Sequence, residues 1–136
     1  MREIKFRGFS KTLNKWIIGV PYFSEGNWWI LVDENTKSDD IGTGSYFVDK
    51  NSIGQHTGLK DKNGVKIYED DIVTIMDCEP SLYKICYWDN NFKWGVEYIG
   101  NDKTNWQYEN LEEFSYEDFE VIGNIYENPE LLEGAI

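Results

Sequence analysis

His56 is the only histidine in the 136-residue chain, so the commonest general base at neutral pH has one possible seat. No spacing around it marks a nucleophile held against a base. Glu69, Asp70 and Asp71 form a run of carboxylates that could offer oxygen ligands to Mg²⁺ or Ca²⁺. Such ions take more ligands at defined spacing, and an acidic turn ahead of a strand accounts for these residues more simply. Cys78 and Cys86 could be read as a disulfide, but they lie in or beside strand-like segments, without CxxC spacing and with one histidine in the chain. Two cysteines are too few to staple a scaffold, and they are read as reduced, structural thiols. Gly42-Thr43-Gly44-Ser45 lacks the lysine and the spacing of a phosphate-cradling loop and is read as a plain loop. The expectation is therefore no catalytic, cofactor-binding or metal-binding residue, no cofactor and no enzymatic activity.

Two constellations of other kinds remain. Tyr87, Trp88, Phe92, Trp94 and Tyr98 could stack nucleic-acid bases as single-strand binders do. Such platforms line basic grooves, whereas residues 71–136 carry three Lys or Arg against fifteen Asp or Glu, the whole net charge of −12. Residues 1–70 carry ten of each sign. Core packing and cross-strand ring pairing is the better reading of these aromatic residues. The acidic residues Glu109, Glu112, Glu113, Glu117, Asp118 and Glu120 read as a solvated face. A sharper alternative is a surface of carboxylates spaced like duplex phosphates, one charge per ~1.7 Å of axis, that occupies a DNA-binding enzyme. An acidic surface repels phosphate backbones and anionic lipid, so neither direct nucleic-acid binding nor membrane binding is expected. The first twenty residues run the other way, with five basic side chains against Glu3, as a small basic strip or a solvated strand face.

These residues sit in a chain sized for one domain, or one with a small β extension. Hydrophobic residues at 40% and aromatic residues at 16% supply a core, which separates the chain from disordered sequences of similar charge. No apolar run approaches the ~20 residues of a membrane helix. The N-terminus alternates charged and apolar residues where a secretory signal needs an unbroken stretch, so a cytoplasmic location is expected.

Residues 4–7 alternate as a half-buried strand, 11–14 turn and 15–20 return, with Pro21 arguing against continuation. Gly26-Asn27 signals a turn into the apolar run 28–32, whose Trp28 and Trp29 would face opposite sides of a strand. Residues 33–44 are polar and aperiodic, as in a mobile loop, and 46–48 form a short strand. Asn63-Gly64 suits a hairpin, because both residues tolerate positive φ at little cost. Residues 72–76, 82–88 and 92–98 read as strands, the last two as a hairpin about Asp89-Asn90-Asn91. Residues 109–114 read as one or two helical turns and 119–125 as a last strand. Asn128-Pro129-Glu130 opens a short helix, with Asn as cap and Pro at the first position. Short strands at about 8–12-residue spacing favour a small barrel or sandwich.

The run Gly54-Gln55-His56-Thr57-Gly58-Leu59-Lys60-Asp61-Lys62-Asn63-Gly64, followed by Ile67-Tyr68-Glu69-Asp70-Asp71-Ile72-Val73, resembles the hallmark of the YopX-like phage protein family. Residues 2–8 and 121–132 resemble the same family. Two residues depart from its pattern. His56 stands where an aromatic ring is expected, which favours packing over catalysis. Asp70 stands where glycine is usual, which places a Cβ at a turn position of assumed left-handed geometry. The resemblance implies phage or prophage origin, a β-rich fold with an SH3-like barrel, and no assigned activity. The expected architecture is mostly β, with an N-terminal β segment over 1–50, an SH3-like barrel over 51–136 and a short C-terminal helix. The N-terminal strands would pack on the barrel or pair with a neighbouring subunit. The expected function is that of a non-enzymatic accessory protein acting by protein–protein contact, with itself as a homo-oligomer and with an unidentified phage or host protein. The acidic DNA mimic is the alternative.

Overall fold

A computed structural model describes residues 5–75, 82–88, 93–99, 108–110 and 118–133. The chain divides into two units, Met1–His56 and Thr57–Ile136. Among the described residues, one sheet runs in the order β4-β3-β2-β1-β5-β6 and the other in the order β10-β9-β8-β7-β11.

The first unit holds β1 (Phe6–Ser10), β2 (Lys15–Ser24), β3 (Asn27–Val32), β4 (Gly44–Phe47) and the start of β5 (Gly54–Lys60). Ile17, Ile30, Val32, Ile41 and Val48 are its buried core, with Trp28, Tyr46 and Ile53 packed against them. Strand alternation sends Ile17 and Gly19 of β2 inward and leaves Val20 and Tyr22 outward. Gly19 is required by the close approach of β3, since a Cβ there would lie 2.1 Å from the Leu31 carbonyl oxygen. The β2–β3 hairpin closes on Glu25-Gly26, at φ 53° and 81°, in the doubly left-handed geometry that matches strand twist. The polar loop after β3 is built, with Asp33 Oδ1 accepting the N–H groups of Asn35 (2.8 Å) and Thr36 (3.1 Å). It also delivers Ile41 to the core. Arg7 does not belong to an exposed basic strip, because its guanidinium is buried 4.4 Å over the Trp16 ring.

The second unit holds the rest of β5, β6 (Lys66–Tyr68), β7 (Asp71–Ile75), β8 (Leu82–Trp88), β9 (Lys93–Ile99), β10 (Tyr108–Asn110), β11 (Phe119–Asn124) and α1 (Glu130–Glu133). Ile67, Val73, Ile75, Tyr83, Ile85, Val96 and Phe119 form its core. The expected hairpin of β8 and β9 is present, and its register puts Tyr83, Ile85 and Tyr87 opposite Tyr98, Val96 and Trp94. A bulge between Val121 and Gly123 bends β11 where Gly123 meets Asn128.

Several expectations are corrected. The described strands form two open antiparallel sheets and not a closed barrel, so the SH3-like detail is not seen. β2 continues through Pro21, beyond the described pairing with β1, which ends at Gly19. The turn expected at Gly26-Asn27 falls one residue earlier, since Asn27 already pairs with Ser24. Of Asn63 and Gly64, only Gly64 takes positive φ, at 80°. The Asp61 carbonyl accepts the Gly64 N–H at 3.0 Å and the Asp61 N–H donates to Val65 at 2.8 Å, the pattern of a longer turn closed by a bulge. Glu109 lies in β10 and not in a helix. The Asn128 side chain does not cap α1, because its oxygen accepts the Asn124 N–H at 3.2 Å. The turn at residues 89–91, Phe92, Cys78 and residues 111–117 lie outside the described residues.

Candidate functional site

The hallmark segment is organised around one buried carboxylate. Asp61 is buried between β5 and β6, and its Oδ1 accepts the N–H groups of Asn63 (2.8 Å) and Val65 (2.9 Å). Its Oδ2 accepts the Val121 N–H at 2.9 Å, and the Lys62 N–H donates to the Phe119 carbonyl at 3.0 Å. One carboxylate thus shapes the turn and ties it to β11. Burial alone would push the Asp61 carboxyl up. The N–H groups of Val121, Val65 and Asn63, with the Lys62 charge, outweigh burial and hold it below the ordinary carboxylate range.

The other singled-out residues follow the same pattern. Asp71 is buried, and its Oδ2 accepts the Tyr68 N–H at 2.7 Å, so it closes the turn into β7. Asp70 takes φ 70°, the left-handed geometry despite its Cβ. Its N–H donates to Ile85 at 2.9 Å and its carbonyl accepts from Ile125 at 3.0 Å. Among the described residues, no three His, Cys, Asp or Glu side chains converge as metal ligands. His56 is buried on β5, where its backbone N–H donates to Lys5 at 2.8 Å. Gly44 and Ser45 belong to β4. The β8–β9 aromatic residues pair edge to face, Tyr83 with Tyr98 at 5.7 Å and Tyr87 with Trp94 at 5.1 Å. Tyr83 is core, and such mutual ring contacts use the rings for packing. Of the acidic run, Glu120 pairs with Lys62 at 3.7 Å.

What the fold exposes lies in the first unit. The register of β2, β3 and β4 places Val20 opposite Leu31, Tyr22 opposite Trp29, and Trp29 opposite Phe47, all on the face away from the core. Val20 is 52% exposed, Leu31 44% and Phe47 49%, so this sheet face is apolar and open. Its polar atoms are used internally. The Tyr22 hydroxyl donates to Ser45 Oγ at 2.7 Å, and Trp29 Nε1 donates to the Ser24 carbonyl at 3.1 Å. Trp29 also stacks edge-on against Phe47 at 5.8 Å. β4 is the outermost strand of this sheet, without Pro, Lys or a bulge to guard its edge. Sequence reasoning set Trp28 and Trp29 on opposite sides, one core and the other exposed or at an interface, but did not assemble this face. The signal was the apolar run through β3, where an outward Leu31 stands among residues that need only one buried side.

At the tip of the same hairpin lies a cavity of about 350 Å³. Phe23, Trp28 and Val48 line it with Asn27, Lys11 and Lys50, and the Phe23 and Trp28 rings stand 5.6 Å apart. Lys11 pairs with Asp49 at 3.2 Å.

A family model described as YopX protein matches residues 5–133. The crystal structure of protein EF1440 from Enterococcus faecalis is 30% identical, covers 97% of this chain and 99% of its own, and superposes with a TM-score of 0.53. No curated protein matches the chain.

Proposed function

Because the chain belongs to the YopX protein family, a membership that assigns no reaction, we propose that it is a non-enzymatic, phage-derived accessory protein acting by protein–protein contact. Its first partner in this reading is a second copy of itself. The observation that carries it is the open apolar face of Val20, Tyr22, Trp29, Leu31 and Phe47 beside the unguarded edge strand β4. Contiguous apolar surface of this kind marks interaction sites on soluble proteins.

Charge argues for a like partner. Residues 1–56 carry seven basic and seven acidic side chains, whereas residues 57–136 carry six against eighteen. Two copies repel through their acidic portions and meet without that penalty through the neutral one. Sedimentation velocity at micromolar concentration tests the reading. The native chain is expected to sediment as an oligomer and the Val20→Lys, Leu31→Lys double variant as a monomer with unchanged circular dichroism. A native chain that is monomeric throughout overturns the proposal.

The acidic mimic of DNA is a second reading, favoured by the same segregation of charge. It predicts a host DNA-binding protein retained from lysate at low salt and released at high salt, because screening removes exposed charge pairing. Retention that survives high salt speaks for apolar docking.

A further inference from the structure

The cavity at the tip of the β2–β3 hairpin adjoins the apolar face at Phe47, which lines it, but its chemistry is mixed. Two aromatic rings form its apolar side, with Phe23 60% exposed and therefore held open to solvent and not packed into the core. A phenyl ring left so exposed at a cavity wall is available to a second ring. The left-handed turn Glu25-Gly26 fixes where Phe23 and Trp28 stand, since they are the last apolar pair before it.

The lining also carries Lys11, Asn27, Asp49 and Lys50, of which Asp49 is held in place. The Asp49 N–H donates to the Phe9 carbonyl at 3.0 Å, and its carboxylate accepts the Asn51 N–H at 2.9 Å and pairs with Lys11. That carboxylate is therefore already engaged, and one ammonium is balanced by it. Lys50 has no ion pair among the described residues, nor does the Asn27 amide or the Trp28 indole N–H have a protein hydrogen-bond partner among them. The cavity thus joins a ring-stacking wall to an unbalanced positive charge and spare hydrogen-bond donors. Its volume lies at the small end of ligand pockets, enough for one ring and its substituent.

We propose that this cavity binds a flat aromatic group carrying one anionic substituent, the ring against Phe23 and Trp28 and the anion at Lys50. The group arrives either as a free small molecule or as an aromatic residue beside an acidic one in a peptide. Titration of the ¹⁵N-labelled full chain separates the sources with three probes: N-acetyl-phenylalanine, its uncharged amide, and the end-blocked peptide acetyl-Ala-Phe-Glu-Ala-amide. Saturable shifts of the Trp28 indole and Asn27 side-chain resonances are expected with N-acetyl-phenylalanine, with the peptide or with both. Preference for the first identifies a small-molecule site, and preference for the peptide a side-chain site. The amide should bind more weakly by up to about fivefold, the range of an exposed ion pair, and Lys50→Gln should remove that difference. Phe23→Ser should abolish the shifts while the remaining spectrum stays dispersed. Saturable binding of acid and amide to the native chain with the same affinity, or the absence of saturable shifts at Trp28 and Asn27 with every probe, overturns the proposal.

Discussion

Replacing Asp61 by Asn tests whether one carboxylate holds the second unit together. The change preserves size and shape. Oδ1 can still accept from Asn63 and Val65, but an NH₂ group then faces the Val121 N–H, donor against donor. Losing one buried charge-assisted hydrogen bond and stranding its donor costs about 2–3 kcal/mol. Asp61→Ala strands all three donors and costs about 3–5 kcal/mol. Against a domain stability of about 5–15 kcal/mol, both are readable from urea unfolding followed by circular dichroism and tryptophan fluorescence. The pH dependence adds a second check. The folded-state pKa of Asp61 lies below its unfolded value. Its contribution is therefore complete above the unfolded value of about 3.9 and is lost as pH falls through the folded one. The gap between native chain and Asp61→Asn should be flat from pH 7 to about 5 and narrow below about 3.9. A gap under about 0.5 kcal/mol at pH 7, or one of unchanged size under acid conditions, refutes the accounting.

Three further outcomes are expected. Gly19→Ala must push β3 away from its 2.1 Å clash with the Leu31 carbonyl and should cost about 3 kcal/mol in the same urea assay. Glu25→Asn puts at φ 53° a residue whose short polar side chain bonds locally and so tolerates the left-handed conformation, and should raise stability by about 0.5–1 kcal/mol, seen as a higher urea midpoint. Lys84 and Glu97 are direct cross-strand partners 3.4 Å apart yet both partly exposed, so a double-mutant cycle should return a coupling below about 1 kcal/mol.

The strands of both units were legible where one face is apolar and the other polar, as in residues 93–98, whose alternation fixes the β8–β9 register. Turn chemistry was legible in kind and less so in position. Glu25 adopts a left-handed conformation that its residue type disfavours, because hairpin twist demands it, so the turn moved off Gly26-Asn27. Asn128 looked like a helix cap, but the bulge in β11 brings the Asn124 N–H to its oxygen first. The apolar face escaped notice because an unbroken apolar run such as 28–32 carries no period to show which side is buried. The cavity escaped for another reason, since it joins the hairpin tip to Val48 and Lys50, some twenty residues onward, and no local spacing records that meeting. Asp61 was recognised only as part of a motif. Its acceptor role depends on Val121, which strand pairing alone brings near.

The 60-residue separation of Asp61 and Val121 has a consequence for how the protein is made. At about 5–20 residues per second, a ribosome delivers Val121 some 3–12 s after Asp61. Throughout that interval the hallmark turn lacks its last donor and β7 lacks its β11 neighbour, so the nascent second unit is open to proteases and chaperones. Chains terminated before residue 121 should be cleared by the cell, whereas synthesis through β11 closes the unit in a single late step.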